Sequence, residues 1–212
     1  MQKKVGALMV LMLGMTVLTG CGEEDNYPKS EVIIDETYKL DGTDNMEFAF
    51  SKNSTLTVLQ EGIYELKTNA EGKPMVRICL DDISRELPED YGFTEYLLQE
   101  DGGNTVLTFT SEEFSLDTSP MILVPLKGKD GLLEGENFDG TYQIGRDGDS
   151  YQYIFEKDGT VTMKIKQHYY ADKTKMTLSD DASTTEYYYE ETEGKLILKN
   201  MQNEPVLELV VQ

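Results

Sequence analysis

The sequence predicts an all-β protein with two small antiparallel domains of the β-meander or barrel type. Three observations favour this class. Short runs rich in Val, Ile, Thr, Tyr and Phe recur along the chain, glycine-containing turns separate them, and no 12-residue segment has clear helical periodicity. The order of these runs also repeats in the two halves of the chain, which predicts an internal duplication.

The strand candidates are short, and several alternate in polarity. In Thr160–Lys166, Val161, Met163 and Ile165 fall on one face, which is typical of a half-buried antiparallel strand. Asp158-Gly159 just before it is a hairpin signal. The candidates are Met46–Phe50, Thr55–Leu59, Ile63–Lys67, Met75–Leu80, Glu95–Leu98, Thr105–Thr110, Tyr151–Phe155, Thr160–Lys166, Lys175–Leu178, Glu186–Glu190, Lys195–Lys199 and Val206–Val211.

The duplication rests on several matches whose order is kept while their offset shrinks from 105 to 91 residues. This is typical of a repeat that has lost loop residues. The matches are Thr37-Tyr38 with Thr141-Tyr142, Phe50–Thr57 with Phe155–Thr162, Asp81–Ser84 with Asp180–Ser183, Glu95-Tyr96 with Glu186-Tyr187, and Glu100–Leu107 with Glu191–Leu198. A glycine- and charge-rich segment separates the halves, so we expect β domains at residues 31–127 and 138–212 joined by a linker at 128–137.

The first twenty residues predict a secretory signal. Lys3 and Lys4 precede an uncharged apolar stretch from Val5 to Val17, which is shorter than the ~20 residues that span a bilayer. Leu18-Thr19-Gly20-Cys21 follows, and all four positions resemble the lipobox of bacterial lipoproteins. The resemblance implies cleavage before Cys21 and acylation of Cys21, which would anchor the protein in the extracytoplasmic face of the cell membrane. The polar, acidic residues 21–30 predict a flexible tether.

The second half carries a further resemblance. Gly140-Thr141-Tyr142 and the later run Phe155–Thr160 resemble the Gly-x-Tyr opening and the Phe-x-x-Asp-Gly-Thr hairpin of lipocalin-like bacterial β domains. The resemblance implies a barrel with a possible ligand cup. The whole chain also resembles small β-rich bacterial lipoproteins to which no function is assigned, which implies a location and a fold but no chemistry.

Composition excludes several functions. With 40 acidic and 19 basic residues the net charge is −21, so nucleic acid is not an expected partner. One histidine and two cysteines exclude a multi-ligand zinc finger and a disulfide framework. We interpret His168 as structural and Cys79 as a buried core residue. No Gly-x-Ser-x-Gly nucleophile motif is present and no carboxylate pair can be singled out, so we expect no enzyme activity.

Two groups of residues are candidates for binding. Asp147 and Asp149, and also Asp41–Asn45, place carboxylates close together as in calcium loops, but they lack EF-hand spacing and are typical of turns. We therefore predict no cofactor, with calcium at Asp147 and Asp149 as the alternative. In the unusual run Tyr187–Tyr189, strand alternation exposes either Tyr187 and Tyr189, as contacts for a ligand or partner, or Tyr188.

The expected function is non-catalytic binding at the cell envelope. One version is a module for a small molecule or glycan, and the alternative is a protein-interaction or structural lipoprotein that uses its acidic, tyrosine-rich faces. An enzyme with an unrecognised carboxylate pair is the third class. An unfilled barrel would favour the ligand module, whereas filled cores with exposed tyrosines would favour the interaction protein.

Overall fold

The computed structural model describes residues 29–81, 92–110, 120–129, 138–144, 150–180 and 183–212. These ranges hold fourteen antiparallel β-strands and no helix, which confirms the all-β prediction. The strands are β1 (Thr37–Leu40), β2 (Met46–Phe50), β3 (Thr55–Thr68), β4 (Pro74–Cys79), β5 (Phe93–Asp101), β6 (Asn104–Phe109), β7 (Met121–Lys129), β8 (Asp139–Ile144), β9 (Tyr151–Phe155), β10 (Thr160–Ala171), β11 (Lys175–Ser179), β12 (Thr184–Thr192), β13 (Lys195–Lys199) and β14 (Pro205–Val211).

Every predicted run coincides with one of these strands to within one residue, since Leu80 and Thr110 lie just past the ends of β4 and β6. The runs Thr55–Leu59 and Ile63–Lys67 belong to the single long strand β3. Sequence patterns missed β1, β7 and β8. In β7, Pro125 and Gly128 interrupt the strand-like composition, and the pairing with β8 shifts register between Pro125 and Lys127. Proline and glycine weaken a strand signal, so these two strands depend on their pairing partners.

The strands group into two compact units. Among the described residues, unit 1 comprises residues 29–58 together with Lys166–Gln212, and unit 2 comprises those within Leu59–Ile165. The division falls inside β3 and β10, so each unit takes strands from both halves of the sequence. The predicted split into domains 31–127 and 138–212 is not confirmed. β7 continues to Lys129, and residues 130–137 of the predicted linker lie outside the described part.

In unit 1 the neighbouring strands follow the order β3, β2, β1, β14, β13, β12, β11, β10. The ring closes where the Tyr169 amide donates a hydrogen bond to the Ser54 carbonyl, at 2.9 Å. Inward side chains fill this unit. Phe50 packs edge-on against Tyr38 and Tyr169, with ring centres 5.9 and 5.3 Å apart. Other fully buried side chains are Leu56, Met176, Leu196, Leu198 and Leu209.

Unit 2 has the order β3, β4, β5, β6, β7, β8, β9, β10. Its closing bond runs from the Tyr64 amide to the Gly159 carbonyl, at 2.8 Å. The interior holds an aromatic cluster in which Phe155 lies 5.0 Å from Tyr64 and 4.6 Å from Phe138, measured between ring centres. This core also contains Tyr142, Tyr153, Val76, Leu107, Leu123 and Val161.

Both interiors are therefore occupied by large side chains in the described residues. Tyr142, Tyr169, Phe138 and Phe155 are each less than 2 % exposed. Burial of this kind stabilises each unit by about 1.5–3 kcal/mol for each large apolar side chain. Cys79 is a free, buried thiol, as predicted, and burial raises its pKa.

The predicted tether, residues 21–30, overlaps the described part of the chain at its end. Ser30, its last predicted residue, is buried; its hydroxyl donates to the Val32 carbonyl at 2.7 Å and accepts a hydrogen bond from the Ala171 amide at 2.7 Å. The buried Ala171 amide has the Ser30 hydroxyl as its hydrogen-bond partner, so Ser30 is part of unit 1. Residues 21–28 lie outside the described part of the chain.

The two sequence repeats have the same strand plan. β1–β7 correspond one by one to β8–β14, and each pair of neighbours in the first repeat has its counterpart in the second. The predicted hairpin signal at Asp158 is confirmed, since Gly159 has a φ of 93° and the Thr160 amide donates to the Asp158 carboxylate at 2.9 Å. At the matching turn of the first repeat, Ser54 also has a positive φ of 61°.

Candidate functional site

Tyr188 occupies the middle of an outward-facing row on unit 1. It lies on β12, opposite Lys175 of β11 on one side and Lys199 of β13 on the other. Glu186 and Glu190 lie two residues away from Tyr188 on the same strand and point to the same side, because side chains alternate along a strand. We call Lys175, Glu186, Tyr188, Glu190 and Lys199 the tyrosine–lysine face.

Ion pairs hold both lysines in place. The Lys175 ammonium is 2.7 Å from Glu186, and the Lys199 ammonium is 2.6 Å from Glu190. The Lys175 ammonium also lies 5.4 Å from the centre of the Tyr188 ring, within the range of a cation–π contact. The hydrogen bond to Glu186 raises the pKa of Lys175, so this cation persists in neutral and mildly alkaline solution. The face thus combines fixed charges of both signs with a partly exposed aromatic ring.

Tyr189, next to Tyr188 on β12, holds the turn that precedes Lys175. Its hydroxyl donates a 2.6 Å hydrogen bond to the carbonyl of Asp172, which starts the turn between β10 and β11. The Asp172 carboxylate accepts hydrogen bonds from the amides of Thr174 and Lys175 at 2.7 and 2.9 Å. These backbone hydrogen bonds lower the pKa of Asp172. The turn therefore fixes the point where Lys175 enters β11.

The predicted contact pair is corrected in part. Tyr187 is only 6 % exposed and belongs to the core of unit 1, so its prediction as a solvent-facing contact is wrong. Tyr189 is partly exposed but its hydroxyl is bound within the unit. Tyr188 is also partly exposed and lies on the outer side of the sheet. The strand therefore follows the second alternation, with Tyr188 on the outer side and Tyr187 and Tyr189 on the other, where Tyr189 is less deeply buried than Tyr187.

Unit 2 carries an open surface depression of about 460 Å³ on the β8–β9 hairpin. Asp139, Thr141, Ile154, Lys157 and Asp158 are among its lining residues. The Lys157 ammonium lies 3.3 Å from the Asp139 carboxylate, and both side chains are more than half exposed. An exposed ion pair of this kind contributes little binding energy. The depression lacks the convergent, desolvated polar groups of a ligand site.

The remaining candidates from the sequence give no site in the described residues. Cys21, Asp147 and Asp149 lie outside them. The turn that contains Asp41 and Asp44 faces lysines: Asp41 lies 3.4 Å from Lys195, and Asp44 lies 3.9 Å from Lys39.

His168, which we interpret as structural, is partly buried on β10 opposite Ser179. Across the described ranges, no three His, Cys, Asp or Glu side chains cluster as a metal site would require. Nor does this part of the chain include a helix with the length and apolarity to cross a membrane.

Sequence reasoning found the tyrosine run but missed Lys175 and Lys199. Both lie more than ten residues from Tyr188 and approach it only through the pairing of β11, β12 and β13. Alternation along Lys175–Leu178 and Lys195–Lys199 does place these lysines on the polar side of their strands. The sequence pattern therefore indicated that each lysine faces outward, but it did not indicate that both lie beside Tyr188.

Comparisons of the chain with protein-family models, with curated proteins and with solved structures find no match. The function is therefore argued from the geometry of the chain itself.

Proposed function

We propose that this protein is a lipid-anchored protein of the extracytoplasmic membrane face, which binds a protein partner through the tyrosine–lysine face of unit 1. It acts without catalysis and without a cofactor. The lipobox at Leu18–Cys21 supports the anchor. The observation that carries the binding role is Tyr188, a partly exposed ring held between two ion-paired lysines.

The packing of the two units supports a surface role over a ligand cup. Fully buried side chains such as Tyr142 and Tyr169 occupy the inward faces, where a lipocalin-type ligand would have to lie. A small molecule would therefore have to displace core side chains, at a cost of about 2–5 kcal/mol for each large side chain removed from the core. Binding on the outer face requires no such rearrangement.

The chemistry of the face suits a protein partner. Tyrosine provides a large contact area at a small cost in side-chain entropy, and it is enriched among the residues that dominate protein interfaces. Lys175 and Lys199 supply positive charge on a chain whose net charge is −21. Since Glu186 and Glu190 already hold both ammonium groups, less conformational freedom is lost when a partner binds.

The test measures binding of the fluorescently labelled chain Gly22–Gln212 to cell envelopes isolated from the source organism. We expect the double variant Y188A/K199A to bind at least about tenfold more weakly, because interface hot spots contribute 2 kcal/mol or more. The matched control is Q99A, which removes an exposed side chain from β5 of unit 2 and should leave binding unchanged.

Pretreatment of the envelopes identifies the partner. Protease digestion should remove the binding sites, and digestion of cell-wall glycan should leave them. The opposite result would favour the glycan-binding alternative and contradict a protein partner. Equal binding by Y188A/K199A and the unchanged chain would contradict the assignment of this face.

The anchor is tested separately by growing cells with radiolabelled fatty acid. The full chain should become labelled, whereas C21A should not, because the Cys21 thiol is the predicted acceptor. Continued labelling of C21A would contradict the lipid anchor without affecting the binding assay, which uses the chain without Cys21.

A further inference from the structure

The outer side of β12 carries an evenly spaced row of side chains, Glu186, Tyr188 and Glu190. Because they lie two positions apart on one strand, neighbouring members of the row are about 7 Å apart. Tyr187, between the first two, is buried in the core of unit 1, which fixes the outward direction of the row. The row therefore presents a carboxylate, an aromatic ring and a second carboxylate with the spacing of an extended chain.

The two carboxylates are the outermost charges of the tyrosine–lysine face. The Glu190 side chain is 52 % exposed, whereas the Lys199 side chain that it binds is 20 % exposed. For Glu186 and Lys175 the exposed fractions are 42 % and 35 %. One oxygen of each carboxylate accepts the hydrogen bond from its lysine, Oε1 in Glu186 and Oε2 in Glu190, so the other oxygen can accept one from a partner. An approaching molecule therefore meets negative charge on either side of the ring.

Unit 2 shows which group fits beside such a carboxylate. Glu95 occupies the position equivalent to Glu186 and lies 3.1 Å from the Arg77 guanidinium, which also lies 4.4 Å from the centre of the Phe93 ring. In both units the glutamate has an aromatic ring two positions away on its own strand. Opposite Glu186, however, unit 1 has Thr177 in place of the arginine. A partner can supply the missing guanidinium to unit 1.

We propose that the protein partner which we assign to this face docks through an extended segment of the pattern basic-x-apolar-x-basic, a proposal that rests on the binding role proposed above. Alternate side chains of an extended segment share one side at the spacing of the row, so the two basic groups reach Glu186 and Glu190 while the apolar group covers Tyr188. Arginine suits both basic positions, because its guanidinium forms parallel hydrogen bonds to a carboxylate and stacks on aromatic rings.

The charge of the chain favours a basic segment over an acidic one. Acidic residues outnumber basic residues by 40 to 19, so a basic segment is attracted at long range and an acidic one is repelled. An acidic segment would also compete with Glu186 and Glu190 for the two lysine ammonium groups. A basic segment leaves both ion pairs in place.

The first test adds a cyclic β-hairpin peptide, with Arg-Thr-Phe-Thr-Arg on one strand, to the isotopically labelled chain Gly22–Gln212. Cyclisation holds the segment extended before it binds. We expect saturable NMR shifts centred on the amides of Glu186, Tyr188 and Glu190. The same peptide with citrulline for both arginines keeps the shape without the charge, and it should bind about fivefold more weakly because two exposed ion pairs are lost. Equal binding of the two peptides, or an absence of shifts at these amides, would overturn the proposal.

A pair of variants assigns the preference for arginine to the two carboxylates. E186Q/E190Q removes both charges but keeps an oxygen that can accept a hydrogen bond from each lysine. It should bind the arginine peptide about fivefold more weakly and bind both peptides equally. The matched control E186D/E190D keeps the charges and should keep the preference for arginine. An undiminished preference in E186Q/E190Q would contradict the roles of Glu186 and Glu190.

The envelope assay separates the basic segment from the binding role of the face. Excess arginine peptide should displace the labelled chain from envelopes, and E186Q/E190Q should bind them about fivefold more weakly. Loss of binding in Y188A/K199A without either of these effects would leave the face assigned and overturn the basic segment. Undiminished binding by Y188A/K199A would instead contradict the face itself.

Discussion

The same position in the two units carries different chemistry. In unit 1, Lys175, Tyr188 and Lys199 lie side by side across β11, β12 and β13. The equivalent row of unit 2, across β4, β5 and β6, consists of Met75, Leu97 and Thr108. The register is the same in both rows, so the sheet geometry does not depend on the identity of the outward side chains. The strand register is therefore common to both units, whereas the side chains of the tyrosine–lysine face are specific to the surface of unit 1.

The neighbouring row of outward side chains also differs between the two units, in this case in its charges. Unit 2 places Arg77 between Glu65 and Glu95, whereas unit 1 places Thr177 between Tyr170 and Glu186. Arg77 is buried although it lies on the outer side of β4, and its guanidinium stacks 4.4 Å from the centre of the Phe93 ring. The outer face of unit 2 therefore has a buried arginine that joins two partly exposed carboxylates, whereas the equivalent position of unit 1 has a threonine.

The largest effect is expected from Gly62 in unit 2. A Cβ atom at this position would lie 2.1 Å from the Cys79 carbonyl oxygen, which is far inside van der Waals contact. We predict that G62A separates β3 from β4 and lowers the free energy of unfolding by about 3 kcal/mol or more, measured by urea denaturation.

The control for G62A uses the equivalent residue of unit 1, Gln167. Its side-chain amide donates to the Asp180 carboxylate at 3.1 Å. Q167A loses one hydrogen bond and should cost about 1 kcal/mol. A cost of G62A no greater than that of Q167A would contradict the prediction that the close approach at Gly62 excludes a Cβ atom.

The second effect concerns Arg77. R77T gives unit 2 the residue that unit 1 has, but it leaves Glu65 and Glu95 facing each other across β4. Breaking a buried ion pair costs about 3–5 kcal/mol, and the partial exposure of both carboxylates favours the lower end. We expect thermal denaturation to give a loss of about 3 kcal/mol, part of which R77T/E95T should recover. In unit 1, T177A should change stability by less than about 0.5 kcal/mol.

The third prediction compares Tyr64 with Tyr169. Y64F and Y169F each remove a hydroxyl whose single proton is shared between two backbone carbonyls, and Y169F also removes the acceptor of the Ile34 amide, at 3.1 Å. Each should cost about 1–2 kcal/mol, with Y169F at the upper end. Urea denaturation of the single and double variants measures both costs. Costs that differ by more than about 1 kcal/mol would indicate that one unit does not depend on its tyrosine as the other does. Burial also raises the pKa of the Tyr64 hydroxyl to about 12.

Local patterns were sufficient to predict most strands. Alternation and turn residues act over a few positions, so Thr160–Lys166 and its Asp-Gly hairpin could be placed from the sequence alone. The composition of the units could not be predicted, because it depends on where β3 and β10 change partners. Residues that come into contact near this change, such as Tyr64 and Glu156, are 92 positions apart in the sequence.

The candidate site was predictable in part for the same reason. The run Tyr187–Tyr189 stands out by composition, but alternation within one strand does not tell whether Tyr188 or its two neighbours face outward. Lys175 and Lys199 join Tyr188 only through strand register, which alternation within one strand does not specify. The contribution of Tyr189 through Asp172 likewise depends on a turn that lies 17 positions away.

The smallest effect is a pH response that should differ between two equivalent turns. In unit 2, the side-chain oxygen of Asn69 accepts hydrogen bonds from the amides of Glu71 and Lys73, both at 2.9 Å. In unit 1, Asp172 plays this part for the turn between β10 and β11. An amide does not titrate in this range, whereas a carboxylate does, so acid should protonate the side chain that caps the turn only in unit 1. The turn of unit 2 has a titrating group of a different kind, Glu71, whose pKa is lowered by Lys73 at 2.8 Å.

The direction follows from the lowered pKa of Asp172. The carboxylate is favoured in the folded state, so its contribution is complete above the ordinary aspartate pKa of about 3.9 and is lost as the pH falls through the lower folded value. Amide proton shifts and exchange rates are therefore measured by NMR from pH 6 to pH 2 in the E71Q variant, which removes the titrating carboxylate from the turn of unit 2. They should change at Thr174 and Lys175 but not at Lys73, and D172N should abolish the response. A parallel change at both turns would instead indicate general acid unfolding, because Asn69 has no proton to gain in this range.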